Sequence, residues 1–93
     1  MRIETTSLTN ANAGDLLVEG AAAIARGDFA FDLAAVSEVD TAAIALLLEW
    51  QRQAAARGGR LVFSGVPADI ASLAKLYGVD VLLDLNGPPA TAA

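Results

Sequence analysis

Residues 29–59, FAFDLAAVSEVDTAAIALLLEWQRQAAARGG, set a strand with one apolar face directly before a long alanine- and leucine-rich helix. That succession restricts the chain to a layered α/β fold, because each element must bury its apolar side against the other. Phe29, Phe31 and Leu33 alternate with Ala30 and Asp32, the period of two that predicts an internal strand. Ser37, Glu38 and Asp40 then interrupt the apolar pattern. Either Asp40 or Thr41 suits the helix N-cap, since each side chain can accept from the first free N–H groups. Ile44, Leu47, Leu48, Gln51 and Ala55 share one helical face, and Gly58-Gly59 supplies a permissive end, so a helix is predicted over 41–57 with that face on the sheet. A second stripe, Ala43, Leu46, Trp50 and Gln53, is apolar in its first half. One sheet contact does not need it, and it is expected to meet another partner.

The flanks repeat the theme. Residues 2–9 carry β-branched Ile and Thr with weak alternation, predicting a first strand that is half exposed or at an edge. Thr9, Asn10 and Asn12 are good caps for a helix over 12–26, with Ala13, Leu17, Gly20, Ala21 and Ile24 on one face and Gly27 closing it. Gly20 costs about 1 kcal/mol inside a helix relative to Ala, which suggests close backbone packing on the sheet. Leu61, Val62 and Phe63 read as a short buried strand, followed by a helix over 67–77 with Pro67 at its first position, Ile70, Leu73, Ala74 and Tyr77 inward, and Gly78 at C′. Residues 79–85 fit either a last strand or an irregular apolar turn, and NGPPATAA after them reads as a disordered tail. The expected architecture is one α/β domain over 1–85, a single layer of about four strands with helices mainly on one side. Its core is expected to hold Leu17, Ile24, Phe31, Leu33, Leu47, Leu48, Leu61, Phe63, Ile70 and Leu73.

Composition excludes several functions. A net charge of −5 with six scattered basic residues does not suit a phosphate-backbone binder, so nucleic acid is not an expected partner. The start MRIETTSL has no apolar signal core, and the longest apolar run, 42–48, is too short to cross a bilayer; a cytoplasmic, non-inserted protein is expected. With neither His nor Cys, the usual zinc ligands, thiolates and triad bases are missing. No metal or cofactor is expected, and no phosphate loop or GxSxG elbow is present in the sequence.

Asp32, Glu38 and Asp40 cluster after the central strand, where open α/β sheets place sites. They fit a loop contact and a helix cap better than a catalytic or metal-binding group. Trp50 and Tyr77 fit either core positions or binding anchors. Lys75 reads as a solvated charge. Thr41 is the residue singled out: at a helix N-terminus its hydroxyl can cap, and a phosphate there would be favoured by the free N–H groups and the helix dipole.

The segment FDLAAVSEVDTAAIALLLEWQRQAAARGGRLVFSGVPADIASLAKLYGV resembles the STAS domain family, named from sulfate transporters and anti-sigma factor antagonists. The resemblance rests on the strand ending Asp32-Leu33 and on Val39-Asp40-Thr41-Ala42-Ala43-Ile44, which matches the family's VD-S/T-x-G-L opening of a long helix, with Ala43 at the usual glycine. The ending Leu73-Ala74-Lys75-Leu76-Tyr77 is similar to the MlaB-type branch, small cytoplasmic STAS subunits of phospholipid-transport ABC complexes. The resemblance implies an STAS-like (SpoIIAA-like) fold and a non-enzymatic module that meets an ABC ATPase subunit of MlaF type through Asp40, Thr41, Ala42, Leu46, Lys75, Leu76 and Tyr77.

The leading expectation is therefore an accessory subunit of a bacterial lipid ABC transporter, peripheral to the inner membrane through its complex. An alternative is an anti-sigma factor antagonist switched by phosphorylation at Thr41. A third class, a small enzyme or nucleotide-binding domain using Asp32 and Asp40, also stays open. A homodimer through the same surface is expected when the partner is missing.

Overall fold

A computed structural model of the 93-residue chain describes residues 1–85; the expected tail at 86–93 lies outside the described residues. The elements follow in the order β1 (Ser7–Leu8), α1 (Ala13–Ala25), β2 (Ala30–Asp32), β3 (Glu38–Val39), α2 (Thr41–Ala56), β4 (Val62–Ser64) and α3 (Ala68–Leu76), then a 3-10 turn at Asp80–Leu82. All three expected helices are present, each shorter by one or two residues in total.

The sheet is built from two parallel pairs. β1 runs beside β3 with Ser7 opposite Glu38 and Leu8 opposite Val39. β2 runs beside β4 with Phe31 opposite Phe63. A parallel bridge between Arg2 and Asp32 joins the first segment to β2, and Val62 bridges Asp84 beyond β4. β2 thus has neighbours on both sides, as an internal strand does. The first segment is not an edge: its start is tied to β2, its end to β3, and Ile3 and Leu8 are buried. β3 replaces what the sequence suggested was a polar loop, because only two residues pair there and Glu38 faces solvent. After α3 the chain makes the apolar turn and then the single bridge at Asp84.

Each helix follows the C-terminal end of a parallel strand, after β1, β3 and β4. All three N-termini therefore lie at one edge of the sheet, and the C-termini lie at the other. α2 is the central helix, in contact with both α1 and α3. Its end forms a Schellman cap: Gly58 at φ +76° lets its N–H reach Ala55 O at 3.0 Å and the Gly59 N–H reach Ala54 O at 2.9 Å. α3 ends the same way at Gly78.

The core includes Phe31, Leu33, Leu47, Leu61, Phe63, Ile24 and Ile70, as expected, whereas Leu17, Leu48 and Leu73 only pack against its border. The larger correction concerns the second stripe of α2. Ala43, Leu46 and Trp50 are buried, and they are covered within the chain by α1. The Trp50 Nε1–H donates to Leu17 O at 3.3 Å, and its ring meets Phe31 edge-on with centroids 5.0 Å apart. Gly20 faces that indole, not the sheet: a Cβ built at position 20 would stand 2.2 Å from Trp50 Cε2 and Nε1. The surplus apolar stripe is the α1–α2 interface. Gly20→Ala, which would favour an isolated helix, is expected to destabilise the domain by roughly 1–3 kcal/mol through overpacking; chemical denaturation checks this, and a stability at or above the parent's contradicts it.

Candidate functional site

One residue, Asp40, separates β3 from α2, so Asp40 and the first helical residue, Thr41, are fixed by both elements. Asp40 has extended backbone dihedrals (φ −132°, ψ −170°) and is the N-cap, with Oδ1 accepting from the Ala42 N–H at 2.8 Å. Its Oδ2 accepts from the Asn10 N–H at 3.0 Å. Thr41 is the first helical residue and stands exposed. The cap role open to either residue belongs to Asp40, because Asp40 holds the extended N-cap backbone from which its carboxylate meets the Ala42 N–H, whereas Thr41 is already helical.

The other carboxylates are separately engaged. Asp32 Oδ1 accepts from the Ala34 N–H at 2.9 Å, closing the turn after β2, and Glu38 is exposed. Among the described residues no group of three carboxylates, His or Cys is placed to hold a metal ion. The arrangement gives Asp32 and Asp40 backbone-holding roles.

The remaining expected site residues divide sharply. Leu46 is 4% exposed and belongs to the α1–α2 interface, so its inclusion in a partner surface is corrected. Ala43 is completely buried; the methyl group that replaces the family's usual glycine is accommodated inside the domain. Ala42 is half-buried and Lys75 exposed. Leu76 and Tyr77 are 75% and 53% exposed. Tyr77 was expected on the inner face of its helix; it is instead the C-cap of α3, where the chain turns and its ring no longer follows the helical stripe.

Two apolar surfaces were not anticipated. Val81 and Leu82, in the turn packed on α3, are exposed beside Leu76 and Tyr77, and their signal was present in the sequence as an apolar run with no helical or strand period. A groove of about 220 Å³ also lies between Ala13, Gly14 and Leu17 of α1 and Ala42, Ala45 and Leu46 of α2. Thr41 and Ala42 are at the edge of the sheet where helices begin, whereas Leu76 and Tyr77 are at the edge where they end. α3 has nine residues, so about 14 Å of helix at 1.5 Å per residue separates its two ends.

On the side of α2 that borders α1, Arg52 donates to both oxygens of Glu49, at 2.6 and 2.8 Å. This hydrogen bonding holds the Glu49 carboxyl down at about 2.

The family described as "Mlab, STAS domain" matches residues 5–84. The chain belongs to the STAS domain family, in its MlaB-type branch. A search of curated proteins finds no match. Among solved structures, the anti-sigma factor antagonist SpoIIAA in its unphosphorylated form superposes with a TM-score of 0.62 at 17% identity, over 81% of this chain and 70% of that one. At that identity the likeness establishes the fold.

Two measurements follow. Asp40→Ala should cost about 0.5–2 kcal/mol of stability by loss of the cap, whereas Thr41→Ala should stay within about 0.5 kcal/mol as an exposed substitution; equal losses in denaturant melts would contradict the cap assignment. Arg52→Ala should raise the Glu49 pKa from about 2 towards the ordinary glutamate range, read by NMR titration. Because Glu49 is depressed in the folded state, its contribution to stability is present above the unfolded-state pKa and is lost as pH falls through about 2. The Arg52→Ala variant should lack that loss.

Proposed function

We propose that this STAS domain is a non-enzymatic accessory subunit of a bacterial ABC transporter for phospholipid, docking on the transporter's cytoplasmic ATPase subunit of MlaF type and stabilising or regulating it. The observation that carries the reading is the MlaB-type family match across residues 5–84. The surface supports it. Thr41 is exposed and free of capping duty, and Leu76 and Tyr77 present apolar area that no element of the described chain covers. Such area beside polar residues is what a protein partner desolvates. Among the described residues no helix is long and apolar enough to cross a membrane, so the reading puts the subunit at the inner membrane through its complex, in the cytoplasm. It requires no cofactor and no nucleic acid, and the same apolar surface is available for a homodimer in isolation.

The direct test is affinity purification of the tagged protein from its native cells, with the co-purifying chains identified. A stoichiometric ABC ATPase supports the reading. Recovery of a kinase and an anti-sigma factor in its place would support the second reading, a partner-switching antagonist phosphorylated at Thr41. The observation favouring that second reading is the exposed hydroxyl of Thr41 at a helix N-terminus, where a phosphate is electrostatically welcome.

Charge placed at Leu46 would report only on folding, since that side chain is buried. The discriminating variants are at the surface. The double change Leu76→Glu and Tyr77→Ala should abolish ATPase co-purification with the thermal melt nearly unchanged; retained binding removes the end of α3 from the interface. Thr41→Asp should fold like the parent, with an added negative charge favourable at the helix N-terminus. If the ATPase buries position 41, the unpaired charge should weaken binding by up to a few kcal/mol. Parental affinity would place Thr41 outside the interface.

A further inference from the structure

Leu76 and Tyr77 at the end of α3, with Val81 and Leu82 in the turn packed on that helix, are each more than half exposed. From this patch the chain runs back along the sheet. Leu83 is extended (φ −117°, ψ 135°) and buried, Asp84 lies in a parallel bridge beside Val62 with its carbonyl accepting from the Phe63 N–H at 2.8 Å, and Leu85 packs against the core. Leu82 stands three positions before Leu85, so it is within about 11 Å of it at 3.8 Å per Cα step. Residues 86–93, NGPPATAA, follow Leu85. Eight residues reach up to about 26 Å when extended, more than twice the distance back to Leu82.

We propose that residues 86–93 fold back onto this patch, with Pro88 and Pro89 against Tyr77, and that a partner using the end of α3 must displace them. Their sequence suits the task. The path needs a reversal directly after Leu85, and Asn86-Gly87 is a turn-forming pair at that point. Two of the chain's three prolines come next; their fixed φ reduces the freedom lost on docking, and aromatic surfaces accept such extended proline segments. No residue from 86 to 93 is charged, so covering the patch buries no ion. The size of the patch favours this occupant over a second copy. Four apolar side chains fall well short of the roughly 20–30 residues that each side of a stable dimer presents, but they match a stretch of six residues beyond the turn. The fold-back stands on the chain alone, whereas its displacement by the ATPase deepens the docking reading and rests on it.

The full chain carries one tyrosine, and its one proline outside this stretch is Pro67, so the contact is read directly by NMR. Nuclear Overhauser effects are expected between the Tyr77 ring and the rings of Pro88 and Pro89, at the same strength whatever the protein concentration. Their absence overturns the proposal. Their appearance between labelled and unlabelled molecules in a mixed sample also overturns it, because the occupant is then a second copy. In the full chain, Pro88→Asp combined with Pro89→Asp puts two charges on the segment and should abolish the ring contacts, with the thermal melt unchanged. The same variant should bind the ABC ATPase purified with the parent more tightly. If the segment covers the patch in about nine molecules of ten, removing it raises the apparent affinity by roughly tenfold. Parental affinity overturns the displacement. The ring contacts need no partner, so their failure leaves the docking reading standing. A parent protein that binds no ABC ATPase overturns the docking reading and the displacement with it, while the ring contacts still decide the fold-back.

Discussion

Trp50 occupies the centre of this domain only because position 20 has no side chain. The indole lies where a Cβ on Gly20 would be, its N–H is satisfied by Leu17 O, and its ring edge meets Phe31 of the internal strand. One large residue on α2 therefore fixes the spacing of α1, α2 and β2 together. A fully buried Trp in such a small domain supplies a sizeable share of its apolar burial, and the hydrogen bond from Nε1 removes the cost of hiding a donor. The close approach of α1 follows from that contact. So does the shape of the groove at the other end of the same helix pair, where Ala13 and Gly14 face Ala42 and Ala45.

The same interaction explains why part of the surface was misread from sequence. The three helices, the internal strand and most of the core were legible because their periods are regular: Phe31 and Leu33 alternate, and Ile44 and Leu47 recur at helical spacing. Periodicity reports that a side chain is buried; it does not report what buries it. The stripe through Leu46 and Trp50 was correctly seen to need a cover, and only the tertiary arrangement shows that α1 provides it. Gly20 carried the corresponding signal, a costly glycine within a helix, but the sequence could not say whether sheet or helix lay opposite. β3 was hidden for another reason. Its two residues are too few for any period, and the pairing with β1 depends on a segment more than thirty positions away.

The candidate site was legible to a different degree at each end. Val39-Asp40-Thr41 marked the start of a helix, but chemistry alone allowed either side chain to cap; the extended backbone at Asp40 gives that duty to its carboxylate. At α3, the helical stripe suggested that Tyr77 faced inward. The Schellman turn at Gly78 ends the stripe one residue earlier and turns the ring outward, where it joins Leu76, Val81 and Leu82. A helix terminus is where periodic reasoning loses its hold, because the geometry that defines the period stops there.

These placements constrain how a partner can use the surface. Thr41 lies at the edge of the sheet where helices begin, and Tyr77 at the edge where they end, so a single flat contact of a few residues does not unite them. A partner touching both must extend along the helical layer, past the three helices that α2 centres. Leu46, by contrast, is part of the domain's own structure, and any loss of binding on changing it would be a loss of fold. The apolar residues at the end of α3 and the hydroxyl of Thr41 are consequently separable by mutation: each is exposed, each lies outside the Trp50 contact, and neither needs the other to remain in place.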